Sequence, residues 1–280
     1  MNEVVVTPLG TVSPYCKGEK NCPGFLIEYN GYKVLLDCGE GVSRHLNFPK
    51  DLNNLIIIIS HLHKDHYSGL SSVGYASYVY KNLGYLNEKI KVYIPGGDLS
   101  KNKETYYYDD GWGERVKINK KLQDFEYLID YGDENYLDFL VYEDRGEYKY
   151  IDKILLYDMK ISFCFNPHSI KTYSIKLETE DLKIVYSGDT GHERNTLKTF
   201  AKDADLLICE STFLRGQQKK DDYHLYAYEA GLIARDANVK KLLLTHFWPE
   251  IDKQLYVDEA KEIFKNTEAA MEGKKLILRR

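Results

Sequence analysis

The chain has 280 residues, of which 43% are hydrophobic and 29% are charged, as in an ordinary globular enzyme. Its net charge of −5 and its isoelectric point near 5.9 exclude an overall positive electrostatic potential that would attract nucleic acid. No apolar run reaches the roughly 20 residues that span a bilayer, and the N-terminus lacks the basic and apolar regions of a signal peptide. These features predict a cytoplasmic protein with no membrane contact.

The five cysteines stand at irregular spacing, which predicts a reducing compartment rather than a disulfide framework. Cys38, Cys164 and Cys209 fall inside apolar segments and are expected to be small buried hydrophobic residues. Cys16 and Cys22 have no partner Cys-x-x-Cys motif, which argues against a structural zinc site at that pair.

The first part of the chain predicts three strands, at residues 3–7, 25–29 and 33–37. The second and third are joined at Asn30-Gly31, which is a strong signal for a β-hairpin. The third ends in the turn Asp37-Cys38-Gly39-Glu40-Gly41, in which glycine permits a tight change of direction.

A cluster of metal-ligating side chains follows the β-branched run at residues 56–59. This run predicts a strand that is buried on both faces. Because side chains alternate along an extended chain, His61 and His63 can point to one side, which leaves Asp65 and His66 free to face a second point. Imidazoles and a carboxylate suit zinc, and also iron or manganese. The cluster therefore predicts a metal site.

The pattern of elements breaks down between about residues 98 and 158. Residues 104–158 carry fifteen acidic and seven basic side chains, a net charge of −8, and ten tyrosines. We expect an insertion of short strands, with a hairpin of residues 136–144 and 147–157 around Arg145-Gly146. This insertion would form a lid over the site or a decorated edge of the sheet, and the sequence leaves both open.

The remaining elements alternate between strands and helices. Helices are predicted at residues 70–83, 224–237 and 252–266, and strands at residues 91–94, 160–165, 172–178, 183–186, 206–210, 241–244 and 276–278.

The motif His61-Leu62-His63-Lys64-Asp65-His66 after a hydrophobic strand resembles the metal-binding signature of the metallo-β-lactamase superfamily. The Asp37–Gly41 turn and Leu9-Gly10-Thr11 resemble turns of ribonuclease Z, the tRNA 3′-end processing branch. The resemblance implies an α/β fold, a four-layer αββα sandwich with its site along one edge. It also implies one domain over residues 1–280, with the acidic, tyrosine-rich insertion at about 98–158.

The resemblance further implies a site with two divalent metal ions, for which Zn²⁺ is expected and Mn²⁺ or iron are alternatives. Two such ions about 3.5–4 Å apart activate water and stabilise the attacking and leaving oxygens. Carried over position by position, the implied ligands are His61, His63 and His168 for one ion, Asp65, His66 and His246 for the other, and Asp189 between them.

Residues 206–213 and 223–231 resemble two segments of ribonuclease Z-like enzymes, in which a histidine protonates the leaving oxygen and a glutamate orients that histidine. By match these are His224 and Glu210, and with Asp65 they make up the implied catalytic set. Histidine suits this role because it titrates near neutral pH. In the alternative interpretation, His224 only begins a helix and Glu210 is a buried ion-pair partner.

The function expected from this resemblance is phosphodiester hydrolysis on a small substrate. A lactone, ester or thioester hydrolase on the same metals is the first alternative, and a non-catalytic metal-binding protein is the second. A tRNA substrate is doubtful, because no basic, glycine- and proline-rich arm is recognisable and the insertion is acidic. The sequence leaves open whether the chain forms a homodimer.

Overall fold

The computed structural model of the chain describes residues 3–95, 105–109, 115–119, 137–142, 151–191, 194–218 and 222–279. These residues form strands β1 (Glu3–Gly10), β2 (Gly24–Tyr29), β3 (Tyr32–Leu36), β4 (Leu55–Ile58), β5 (Ile90–Pro95), β6 (Thr105–Asp109), β7 (Arg115–Asn119), β8 (Leu137–Tyr142), β9 (Ile151–Leu156), β10 (Met159–Asn166), β11 (Thr172–Glu178), β12 (Lys183–Tyr186), β13 (Leu206–Glu210), β14 (Leu242–Thr245), β15 (Thr267–Ala269) and β16 (Leu276–Arg279). Their helices are α1 (Lys64–Tyr67), α2 (Leu70–Asn82), α3 (Arg194–Phe200), α4 (Ala227–Asp236) and α5 (Lys253–Lys261), with short 3₁₀ turns at Val42–His45 and Lys50–Leu52.

The strands form two large sheets and one small ribbon. The first sheet has the order β16-β1-β2-β3-β4-β5-β8, and the second has the order β15-β14-β13-β12-β11-β10-β9. Strands β6 and β7 pair with each other as an antiparallel ribbon. In each large sheet some neighbours run parallel, such as β3 with β4 and β13 with β14, so their carboxyl ends reach the same edge.

The predicted hairpin at Asn30-Gly31 is confirmed. Tyr29 pairs with Tyr32 across a two-residue turn, and both turn residues have positive φ, 47° for Asn30 and 80° for Gly31. Asparagine and glycine tolerate this left-handed backbone better than other residues do, which is why this dipeptide forms the turn.

Three clusters of buried apolar side chains define the layers. One lies between the two sheets and includes Phe25 of β2 and Phe163 of β10. A second covers the outer face of the first sheet with residues such as Val73 of α2. A third packs the helices against the outer face of the second sheet and includes Ile233 of α4 and Tyr256 of α5. The order of layers is helix, sheet, sheet, helix, which confirms the predicted αββα sandwich.

The predicted hairpin at residues 136–157 is wrong. Strand β8 pairs in parallel with β5 at the edge of the first sheet, whereas β9 pairs antiparallel with β10 at the edge of the second. The two strands therefore belong to different sheets. The Arg145-Gly146 signal was local, and each strand instead pairs with a strand of a different large sheet. Of the rest of the predicted insertion, only Tyr157, Asp158 and the backbone of β6 and β7 lie within the described residues.

Two predicted helices are shorter than expected. Helix α4 begins at Ala227 rather than at residue 224, so His224 stands in the loop before it. Helix α5 ends at Lys261, because the chain then turns into β15. Among the described residues no helix is long and apolar enough to cross a membrane.

Candidate metal centre

The predicted ligands stand just after the carboxyl ends of strands in both sheets. His61 and His63 follow β4, and the short helix α1 then carries Asp65 and His66. The second sheet supplies His168 after β10, Asp189 after β12 and His246 after β14. Since both sheets present their strand ends at one edge, these seven side chains converge there.

The first group of candidate ligands consists of His61, His63, His168 and Asp189, whose ligand atoms all lie within 4.8 Å of one another. Nε2 of His61 is 3.0 Å from Nδ1 of His63, which is 3.2 Å from Nε2 of His168. Oδ2 of Asp189 lies 3.4 Å from His61 Nε2 and 3.7 Å from His168 Nε2. Three imidazole nitrogens and one carboxylate oxygen thus face a common point.

The second group consists of Asp65, His66 and His246. Nε2 of His66 lies 3.4 Å from Nε2 of His246 and 3.6 Å from Oδ2 of Asp65. The other oxygen of Asp189, Oδ1, faces this group, at 3.4 Å from His66 Nε2 and 3.0 Å from His246 Nε2. Asp189 therefore lies between the two groups, with one oxygen turned to each.

A buried oxygen at the centre of the site supports metal binding. Although His246 Nε2 is close, no hydrogen bond of adequate geometry reaches Oδ1 of Asp189 from the described residues. Asp189 is only 2% exposed, and a buried carboxylate oxygen without a donor costs free energy unless a cation contacts it. The nitrogen and oxygen donors around it are those that zinc prefers. The residues present thus fit divalent metal ions.

Hydrogen bonds on the far side of the imidazoles orient their free nitrogens towards the centre. A ligating histidine commonly binds an oxygen through its second ring nitrogen, which fixes the tautomer. Four of the candidate ligands have such a partner at Nδ1: Ser60 Oγ at 3.0 Å for His61, Asp37 Oδ2 at 2.7 Å for His66, the Tyr223 carbonyl at 3.0 Å for His168, and Thr212 Oγ1 at 2.8 Å for His246.

Asp37 is the most connected of these supporting residues. Its Oδ2 atom accepts from His66, from the Ser60 hydroxyl at 2.8 Å and from the Tyr186 hydroxyl at 2.6 Å, while Oδ1 accepts from the Ser60 amide at 2.6 Å. Asp37 is fully buried, and its φ of 57° is unusual for a residue other than glycine. The tight turn after β3 brings this carboxylate beneath the site.

Burial and charge set the protonation of the ligands. Burial, aided by the charge on His66, lowers the pKa of His61 to about 3, so His61 is a neutral imidazole at neutral pH. Burial would also lower the pKa of His66, but the carboxylates of Asp189, Asp65 and Asp37 outweigh it and hold that pKa well above its usual range. Three carboxylates around one buried ring strongly stabilise a positive charge at this position.

His246 adopts a strained backbone conformation. Its φ is 63°, in the left-handed region that non-glycine residues seldom occupy. Such strain persists when the surroundings hold the residue in place, and it is common at functional sites. Here Thr212 and Asp189 contact the His246 ring from two sides, at 2.8 Å and 3.0 Å.

The structure brings His224 and Glu210 together beside the ligand groups. Nδ1 of His224 lies 3.0 Å from Oε1 of Glu210 and 4.0 Å from Oδ2 of Asp189. The imidazole stacks on His246 with ring centroids 5.3 Å apart. Burial opposes the charged form of His224, but the Glu210 carboxylate outweighs it and raises the pKa of His224 to about 9. This ring is therefore a protonated group at the margin of the cluster.

The chain is similar to several known proteins. A protein-family model described as "Anti-Pycsar protein Apyc1" matches residues 4–268. The chain belongs to the Apyc1 family. This Apyc1-family chain is 31% identical to the ribonuclease Z of Thermococcus sibiricus over 94% of its own length and 92% of the relative's. It is 28% identical to the ribonuclease Z of Archaeoglobus fulgidus over 94% of each protein.

Solved structures confirm the fold of the Apyc1-family chain. The metallo-β-lactamase fold protein YhfI from Bacillus subtilis has a TM-score of 0.78 at 20% identity, covering 99% of this chain and all of that one. The short form of human tRNase Z has a TM-score of 0.70 at 19% identity, covering 97% and 98%. This fold, together with the identity to ribonuclease Z over most of both chains, makes the protein a ribonuclease Z-like member of the metallo-β-lactamase superfamily of metal-dependent hydrolases.

Sequence reasoning did not identify several residues that contact the ligands of this Apyc1-family site. Ser13, in the loop after β1, donates from its hydroxyl to Oδ2 of Asp65 at 2.8 Å. Thr212 and Tyr223 were not identified either, although Tyr223 directly precedes His224 and Thr212 lies two residues after Glu210 in the sequence. A search for hydroxyl groups within two residues of predicted site residues would have found Ser60, Thr212 and Tyr223. His192, which follows the Asp189 turn in the sequence, lies outside the described residues.

Proposed function

We propose that this Apyc1-family protein is a phosphodiesterase that uses two divalent metal ions, with Zn²⁺ the expected metal. The first ion would be held by His61, His63 and His168, the second by Asp65, His66 and His246, and Asp189 would bridge them. The observation that carries the proposal is the position of Asp189, whose two oxygens face the two ligand groups separately. Bound divalent ions would supply Lewis-acid activation of water and compensation of the phosphate charge.

His224 is proposed as the general acid for the leaving oxygen. Glu210 holds the Nδ1 side of the ring, so the proton available to a substrate is the one on Nε2. An alkoxide leaves poorly without a proton, and a protonated imidazole beside the cluster supplies one. Asp65 is proposed for the catalytic set as well as the ligand set, because an ionised carboxylate within the cluster could accept a proton from an attacking water.

Glu210 is a positioning residue in this scheme. Oε1 accepts from the Thr190 amide at 2.9 Å, and Oε2 accepts from the Thr212 hydroxyl at 2.7 Å and from the Leu225 amide at 3.2 Å. These donors hold the carboxylate in one orientation and offset the cost of its burial. A thioester hydrolase expels a thiolate, which departs without a proton, so it has less need of a proton donor held in this way.

The rim of the site favours a small phosphodiester with an aromatic group. The Tyr223 side chain is 40% exposed, and its ring centroid lies 5.9 Å from that of His168. The ring of Phe213 lies 6.3 Å from that of His224 on the other side. Aromatic faces next to the proposed acid would stack on a nucleobase or an aryl leaving group. The related proteins named ribonuclease Z support the choice of a phosphodiester bond.

The proposal is tested by metal analysis of the purified protein together with a substrate panel. We expect about two metal ions per chain, cleavage of a bis-aryl phosphodiester and no turnover of nitrocefin. The panel also contains a lactone and a thioester. Rapid hydrolysis of either, with no phosphodiesterase activity at saturating metal, would favour the alternative hydrolase. Metal binding without any turnover would favour a non-catalytic protein.

A further inference from the structure

The loop between β1 and β2 carries two cysteines on adjacent arms. Lys17 and Lys20 pair across the loop, with each amide donating to the other residue's carbonyl at 3.2 and 3.1 Å. Gly18, with a φ of 59°, lies in the turn between them. This pairing holds the two arms side by side, and the sulfur atoms of Cys16 and Cys22 lie only 3.6 Å apart.

A single backbone carbonyl holds both cysteines in place. The carbonyl oxygen of Glu40 accepts from the Cys22 amide at 3.0 Å and from the Cys16 thiol at 3.0 Å. The two thiols differ in their access to solvent, because Cys22 is 1% exposed whereas Cys16 is partly exposed. The sulfur of Cys16 can therefore react with a reagent from solution, whereas the sulfur of Cys22 is buried next to it.

We propose that Cys16 and Cys22 form a reversible disulfide, so that the pair is a redox modification site. Disulfide formation needs the sulfur atoms to approach to about 2.0 Å, and rotation of the side chains provides this when the atoms already touch. The other three cysteines, Cys38, Cys164 and Cys209, are buried within apolar clusters. They are therefore shielded from an oxidant in solution.

A hydroperoxide is the class of oxidant that fits one solvent-accessible thiol next to one buried thiol. The sulfur of Cys16 attacks the peroxide oxygen, the O–O bond breaks, and the thiol proton leaves with the released alcohol or water. The sulfur of Cys22 then displaces the hydroxyl group from the resulting sulfenic acid, and its own proton completes a molecule of water. Two electrons pass from the thiols to the peroxide, and a dithiol reductant reverses the change.

The pair lies directly behind the candidate metal centre. Gly39 packs between Cys22 and helix α1 so closely that a Cβ on Gly39 would lie 2.6 Å from Cys22 Cβ and 2.2 Å from the Asp65 carbonyl oxygen. On the other arm of the loop, Ser13 donates to the Asp65 carboxylate. A disulfide would thus join the arm that carries Ser13 to the segment that packs behind Asp65.

The test uses the full chain treated with hydrogen peroxide, followed by alkylation of the remaining thiols and digestion with trypsin. Cleavage after Lys17 and Lys20 separates residues 1–17 from residues 21–33, so these peptides stay together only through a disulfide. We expect a linked peptide pair, two hydrogen masses below the sum of the peptides, in most of the protein. It should disappear after treatment with dithiothreitol, while the other three cysteines remain alkylatable.

Matched variants keep this test decisive. Cys16→Ser, at the partly exposed position, should lose the linked pair and keep the circular dichroism spectrum of the unmodified protein. Cys164→Ser, at a buried cysteine elsewhere, should retain the linked pair. Overoxidation of Cys16 to the sulfinic acid with no linked peptide would overturn the proposal. A link from Cys16 to any cysteine other than Cys22 would do the same.

Discussion

Nδ1 of His224 lies 3.0 Å from Oε1 of Glu210, and this carboxylate is only 1% exposed. A buried carboxylate that faces one ring nitrogen leaves the other nitrogen of the ring to act on a substrate. The pair lies outside both ligand groups proposed for the metals but within 4.0 Å of Asp189, which faces both groups. Metal binding and proton donation should therefore be separable by mutation.

His224→Ala should reduce the turnover of alkyl phosphodiesters about 10²–10⁴-fold, because an alkoxide then leaves without a proton. Aryl phosphodiesters should lose much less, since an aryloxide is a good leaving group. Metal content, measured by elemental analysis, should stay unchanged. The control is His61→Ala, which should lose metal and activity towards both kinds of substrate. Equal losses for alkyl and aryl substrates in His224→Ala would remove this residue from the mechanism.

Asp37→Asn should weaken metal binding by about 10–100-fold, because the amide cannot accept all the hydrogen bonds that Asp37 now receives. The His66 ring would lose the partner that orients it. Affinity is measured by competition with a chromogenic chelator. Asp205→Asn is the matched control, since Asp205 is also buried and accepts a backbone amide at 2.8 Å, but it lies away from the site. The same affinity in both variants would contradict a supporting role for Asp37.

Thr212→Val should lower both the metal affinity and kcat, since valine keeps the shape but removes the hydroxyl between Glu210 and His246. That hydroxyl donates to Glu210 and accepts from His246 Nδ1, so it fixes both groups. Thr212→Ser restores the hydroxyl and should recover most of the activity. Metal titration and steady-state kinetics of the two variants make the comparison. If Thr212→Ser lost as much metal affinity and kcat as Thr212→Val, the cause would be the packing of the methyl group and not the hydroxyl.

Precursor tRNA should bind weakly to this protein. Residues 104–158 carry a net charge of −8, and affinity for RNA depends on neutralising phosphates with basic side chains. A gel-shift assay at low and high salt measures this, with a ribonuclease Z as the positive control. Tight binding that falls steeply with salt would show that a basic surface exists elsewhere on the chain.

The cluster of candidate ligands His61, His63, Asp65 and His66 could be predicted from a local pattern, whereas His168, Asp189 and His246 were assigned by their match to the metallo-β-lactamase superfamily. A β-branched strand that stops at polar side chains marks a sheet edge, and this holds for His61 after β4 as for His246 after β14. Parallel pairing then brings such ends together whatever the length of chain between them. The αββα layers follow from the same alternation of strands and helices.

The supporting contacts could not be predicted, because they join residues far apart in the chain. Ser13 forms its hydrogen bond with Asp65 only after the loop beyond β1 folds across the sheet edge. No local sequence pattern at Ser13 predicts this contact. The hairpin expected at residues 136–157 failed for a related reason. A turn signal reports only local preference, and it carries no information about open edges at β5 and β10.

The seven candidate ligands come from both sheets, with His61, His63, Asp65 and His66 beside the first and the other three beside the second. Metal ions bound among them would act as a cross-link between the two halves of the fold. Their binding energy then adds to folding, by about 1.4 kcal/mol per bound ion for each tenfold rise in free metal above the dissociation constant. We therefore expect the Tm to climb with zinc concentration, and a chelator in the lysis buffer to lower the yield of folded protein.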